Sequence, residues 1–147
     1  MQVSNINSKL NFLHDAILVS MKDDIKTKSS KLTFLSEDEK LSLNVVLHGI
    51  VSSRCTNWKI GNIVLDASVT GINMLVDPNI IIELIIFTEE LSKIQIQNQA
   101  YLPIMKDIES GKLFIFELNP SYGAYYVGIA QDITIETNRI LHRKTSM

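Results

Sequence analysis

Residues 62–70 read NIVLDASVT. Ile63, Leu65, Ala67 and Val69 alternate with Val64, Asp66, Ser68 and Thr70, the period of two that a half-buried strand requires, because successive side chains point to opposite faces. The stretch predicts a buried face made of Ile63, Leu65, Ala67 and Val69. Asp66, Ser68 and Thr70 fall on the more exposed face.

The same period recurs on both sides of it. Upstream, Ile17, Val19 and Met21 alternate with Leu18, Ser20 and Lys22 as far as an Asp23-Asp24 turn. Leu32 and Phe34 share a face before an acidic turn at Glu37-Asp38-Glu39. Leu41, Leu43, Val45 and Leu47 then face away from Ser42, Asn44 and Val46, and Gly49 predicts a bulge or bend. A polar connection, SSRCTNWKIGN at 52–62, leads into the opening stretch. Downstream, KLFIFEL at 112–118 is apolar on both faces, as a central strand is, and NPSYGA at 119–124 reads as a turn built on Pro120 and Gly123. Tyr125, Val127, Ile129, Ile133 and Ile135 finally alternate with Tyr126, Gly128, Ala130, Asp132 and Thr134.

The middle of the chain departs from this regularity. At Ile80–Phe87 the density of β-branched residues favours a buried strand, whereas the Asp77-Pro78 start and Glu83, Glu89 and Glu90 leave a helix open. KIQIQ at 93–97 pairs with that strand through a TEELS turn. Residues 101–110 predict a helix: Pro103 suits its first turn, Ile104, Met105 and Ile108 share a face, and Gly111 supplies the stop. A helical turn before Leu13 is a weaker signal. Together these elements predict an α+β, mostly antiparallel domain over 1–147. Its seven or eight strands form a curved sheet or two packed sheets, with one helix near 101–110.

Composition narrows the function classes. The 147 residues carry a net charge of −2, which offers no overall positive field to nucleic acid or anionic lipid. Arg139, His142, Arg143 and Lys144 cluster near the C-terminus as a solvated basic end. A single cysteine, Cys55, supplies neither an internal disulfide nor a zinc-ribbon framework. The first residues lack the basic and apolar regions of a secretory signal. The densest apolar run, IIIELIIF at 80–87, falls short of the ~20 residues that span a bilayer. A cytoplasmic protein is the expectation.

Motifs for chemistry are sparse. His14 and Asp15 are adjacent, and on an extended chain neighbours point apart, so the pair reads as structural rather than as a dyad. His48 and His142 have no metal-ligand spacing, no cofactor-binding glycine loop is present, and no catalytic or metal residue is assigned. Arg54 beside Cys55 would favour a thiolate, but no histidine lies near it in sequence and a structural thiol is the simpler reading. Two places carry more than core: RCTNWKIGN around Arg54 and Trp58, and NPSYGAYY with Tyr122, Tyr125 and Tyr126. Trp, Tyr and Arg dominate protein-binding hot spots, although the same residues also plug the end of a sheet core or bond over a turn.

LHDAILVSMKDD at 13–24, LHGIVSSRCTNWKIGNIVLD at 47–66 and SGKLFIFELNPSYGA at 110–124 together resemble small bacterial proteins that open with His-Asp-Ala. Some of these are similar to immunity proteins of polymorphic toxin systems. The resemblance implies a small cytosolic domain that binds and blocks a cognate toxin, and it brings no site residues with it. The sequence thus predicts a non-enzymatic protein-binding module acting through Arg54, Trp58, Tyr122 and Tyr125, without cofactor, nucleic acid or membrane. A pocket in the curved sheet with His14, Asp66 and Tyr122 as its polar groups is the alternative. Homodimer pairing along the edge KIQIQNQ at 93–99 is a third.

Overall fold

The strand expected at 62–70 forms, but it carries a β-bulge that reverses its alternation partway along. The computed structural model describes residues 2–72, 74–86 and 101–140. In it, β4 (Asn62–Thr70) pairs with β5 (Phe114–Tyr122) in a register that shifts twice, between Ile63 and Val64 and between Val64 and Asp66. Val64, Ala67 and Val69 therefore face inward, while Ile63 and Leu65 stand in solvent. The expected buried face is corrected at its first two positions, because one extra residue in a strand turns every side chain beyond it to the other face. Leu65 is 46% exposed. Leu65→Ala is accordingly expected to cost under about 1 kcal/mol in a urea titration, not the roughly 2–5 kcal/mol of a core leucine.

β1 (Ile17–Asp24) does the same. Its register against β2 (Ser29–Leu35) shifts between Leu18 and Ser20, so Leu18 is buried, Met21 packs against the core, and Val19 is turned out. β3 (Leu41–Thr56) is longer than expected. Residues 52–56, read as a polar connection, continue the strand and pair with β6 (Tyr125–Arg139). The bend expected at Gly49 is present as a positive φ of 63°, where a Cβ would collide with the Gln131 side chain. Pro120 is not a turn residue. It lies inside β5 opposite Val64, at the register shift, where its missing N–H breaks no regular ladder.

Among the described residues, six strands close into an antiparallel barrel in the order β1-β2-β3-β6-β5-β4. The fold is thus mostly antiparallel with few helices, and it has fewer strands than the sequence suggests. Two three-stranded meanders, β1-β2-β3 and β4-β5-β6, meet along the long β3–β6 ladder on one side. On the other side the ladder is short, with the pairs Ile17↔Ile63 and Leu18↔Asn62 continued by hydrogen bonds from the Val64 N–H to the Ala16 carbonyl and from the Asp15 N–H to the Val64 carbonyl. The bulges in β1 and β4 border this short seam and supply the extra local twist that closing a small barrel demands.

The side chain of Asn62 holds the seam. It is 2% exposed, and its Oδ1 accepts from the backbone N–H groups of Lys59 (2.8 Å) and Ala124 (3.0 Å). Its Nδ2 donates to the Leu18 carbonyl at 3.3 Å. One amide thereby ties β1, the β3–β4 turn and the β5–β6 turn together. Gly123, at φ 90°, leaves the room it needs, since a Cβ there would run into Asn62 Oδ1.

Leu32, Phe34, Leu43, Val45, Leu47, Phe116, Leu118 and Tyr126 fill the barrel. Helix α1 (Val3–Leu10) and the 3₁₀ turn Asn11–Leu13 plug one end with Ile6, Leu10 and Leu13. A second apolar cluster lies outside the barrel, where Ile81, Leu84 and Ile108 cover Ile115, Val127 and Ile129. This explains why 112–118 reads as apolar on both faces. The covering elements are α2 (Pro78–Ile86) and α3 (Tyr101–Glu109). α2 replaces the favoured strand at 80–87. Asp77 Oδ1 accepts the N–H of Asn79 at 2.9 Å and Pro78 takes the first helical position, a start signal that outweighs the β-branched composition. α3 ends as expected, with Gly111 at φ 81°. The KIQIQ and TEELS segments lie outside the described residues, and so does the edge-pairing stretch 93–99.

Candidate functional site

The two bulges gather an apolar surface across the seam. Ile17 pairs with Ile63, and Ile63 with Tyr122, so their outward side chains form a row over β1, β4 and β5. Leu65 and Val19 stand exposed farther along their strands, and Trp58, 45% exposed, and Ile60, 99% exposed, lie on the β3–β4 turn that leads into β4. Tyr122 is 53% exposed. Single exposed apolar residues are ordinary on a protein surface, but a cross-strand row of them that ends on a Tyr is not.

The rim of this surface is polar. His14 sits beside Leu65, with its Nδ1 hydrogen donated to the Leu65 carbonyl at 2.7 Å. Asp15 is not extended: its φ of 64° brings its carboxylate to 3.5 Å from His14 Nε2, closer than adjacency on a strand permits. The expectation that the two point apart is corrected, while the fully solvent-facing pair opens onto no deep pocket. The hydrogen bond to Leu65 and then the charge of Asp15 raise the His14 pKa above its ordinary value. Asp66 lies on the same outer face and accepts from Asn119 Nδ2 at 2.8 Å.

The four residues expected to bind a partner divide into two pairs. Tyr122 belongs to the seam surface, and Trp58 stands exposed on the turn that leads into β4. Tyr125 instead packs against the cluster beneath α2 and α3, and its hydroxyl donates to Glu117 Oε2 at 3.1 Å. Arg54 is in register with Val127 of that same cluster, on the helix-covered side. Sequence reasoning assigned Ile63 and Leu65 to the core. The signal against that lay in Ile63-Val64-Leu65 itself, three consecutive apolar residues that cannot all face inward from one strand.

His48 Nε2 meets the Thr134 hydroxyl at 2.9 Å, and burial pushes the Cys55 thiol up, away from thiolate. Among the described residues no group of three His, Cys, Asp or Glu side chains could hold a metal, and no helix is long and apolar enough to cross a membrane. A cavity of about 690 Å³ opens at the plugged end of the barrel, between the 3₁₀ turn, the β2–β3 turn and the end of β6. None of His14, Asp66 and Tyr122 lines it. No protein-family model, no curated protein and no solved structure matches this chain.

Proposed function

We propose that this protein is a non-enzymatic binding module that docks another protein on the seam surface of its barrel. The observation that carries the reading is the pair of bulges, which turn Val19, Ile63 and Leu65 outward, exposed like Trp58 and Tyr122, instead of burying them. Large apolar side chains left in water are unfavourable by about 25 cal/mol per Å², and a partner that desolvates them recovers that free energy. The rigid barrel presents them with little ordering cost, and Trp and Tyr are the residue types from which such anchors are made. A cognate toxin, blocked by occlusion, is the class of partner implied by the resemblance of 13–24, 47–66 and 110–124 to immunity proteins.

Capture from the native cell with tagged protein, followed by titration of the recovered protein in purified form, tests this. Trp58→Ala is expected to leave the melting temperature nearly unchanged and to weaken binding by about 2 kcal/mol or more, roughly thirtyfold. Leu65→Asp is expected to abolish binding. Equal affinity for the wild type and both variants overturns the proposal. So does a wild-type homodimer, measured by light scattering, that Leu65→Asp splits, because the occupant is then a second copy.

A further inference from the structure

The cavity at the barrel mouth is separate from the seam surface and has its own chemistry. Its floor is Leu13, Phe34 and Leu43, all buried and all part of the barrel core. Its upper walls are Phe12 and Leu41, whose large apolar side chains remain in water. A volume of about 690 Å³ lies within the range of small-molecule pockets, and the grading from apolar floor to charged rim suits a molecule with a greasy body and a polar head.

The rim decides the sign of that head. Among the described residues, the charged groups lining the cavity are Glu37 and Asp38 on the β2–β3 turn and Lys9 on α1, with Glu39 and Lys40 following in the same turn. Asp38 is fixed in place: its Oδ1 accepts from the Ser36 hydroxyl at 2.7 Å and from the Lys40 N–H at 3.1 Å. Those bonds, the Ser36 one first, hold its carboxyl below the usual range, so it is anionic throughout the neutral region. Two carboxylates thus face one ammonium, and the exposed ring of Phe12 offers a π-face to a cation. We infer that the barrel mouth binds a small amphipathic organic cation, its apolar body on Leu13, Phe34 and Leu43 and its ammonium group at Glu37 and Asp38.

Three probes with the same ten-carbon chain, used below their micelle concentrations, separate the contributions: decyltrimethylammonium, decanol and decyl sulfate. Amide chemical shifts locate each on the full chain and give its affinity. Decyltrimethylammonium is expected to perturb Ala16, Leu43 and Thr137 and to bind about tenfold more tightly than decyl sulfate, with decanol between them. Glu37→Gln is expected to weaken the cation about three- to fivefold and to leave decanol unchanged. Thr137→Trp, which fills the cavity from an exposed strand position, is expected to remove binding of all three while the melting curve stays in place. The inference is overturned by equal affinities, by decyl sulfate binding best, by a Glu37→Gln variant with unaltered cation affinity, or by shifts centred on Ile63 and Tyr122. The last result would place the probes on the seam surface, and failure here leaves the proposed protein docking untouched.

Discussion

Asn62→Ala is expected to destabilise the protein by about 3–4 kcal/mol, the largest effect of any polar substitution considered. The side chain is buried, and its removal strands the N–H of Lys59 and the N–H of Ala124 without an acceptor while the Leu18 carbonyl loses its donor. The Ala124 N–H and the Leu18 carbonyl are buried and the Lys59 N–H partly so, and orphaning a buried group costs about 1–3 kcal/mol. A thermal melt should fall by roughly 6–15 °C for a chain of this size. Gly123→Ala acts on the same node from the other side, because its new methyl group collides with Asn62 Oδ1 and its φ of 90° disfavours any side chain. The two changes are therefore expected to be less than additive: once Asn62 is truncated, the collision with its side chain is gone, and only the close approach to the Cα of residue 62 and the backbone strain at 123 remain. Strict additivity in the double variant would show that Asn62 does not hold the Gly123 turn.

Alkaline pH is expected to expose a second weakness, at Tyr126. Its side chain is buried in the barrel, its ring 5.9 Å from that of Phe116 and its hydroxyl near Ser53, Ser30 and Asp23. Burial pushes the phenol up to about 12; the charge of Asp23 adds to the shift, and the Ser53 and Ser30 hydroxyls oppose it. An unfolded tyrosine ionises near 10, so between pH 10 and about 12 the unfolded chain releases a proton that the folded chain retains. Ionisation then favours unfolding, and stability present in full below pH 10 is lost as pH rises. The loss approaches about 2–3 kcal/mol at the upper end. Urea unfolding of the wild type and Tyr126→Phe from pH 8.5 to 11.5 isolates this contribution, because every other titrating group is common to both. The variant is expected to lose less stability over that interval. Parallel curves would mean that the phenol ionises in the fold as readily as outside it.

Much of the fold is legible in the sequence because a barrel strand writes its burial as alternation. Leu43, Val45 and Leu47 read correctly as one buried face, although Leu41 at the strand's start is exposed and Asn44 on the opposite face is buried, and α3 read correctly from Pro103 and Gly111. The departures within the strands share a physical cause. Alternation fixes faces only relative to a strand's own start, and the register shifts at Val19 and around Val64 to Asp66 are set by pairing with β2 and β5, partners that one strand does not encode. Ile63 and Leu65 therefore read as inward-facing in the sequence, and the surface they make with Tyr122 is legible there only through its aromatic member. α2 failed for another reason: the bond from Asn79 N–H to Asp77 Oδ1 and the shelter of Ile115, Val127 and Ile129 both outweigh the β-branched preference of Ile80 to Ile82.

The unequal closure of the barrel has a kinetic consequence. The β3–β6 ladder acts as the spine of a book, and the two pairs at Ile17↔Ile63 and Leu18↔Asn62 as its clasp. Local opening proceeds from the weakest cooperative contacts, so amides along the clasp exchange with solvent through a partial opening that leaves the spine intact. The surface formed by Ile17, Ile63 and Tyr122 straddles the clasp itself. A molecule seated there grips both covers at once, and its grip is measurable as slowed hydrogen exchange at Val64, whose N–H bonds the Ala16 carbonyl across the gap.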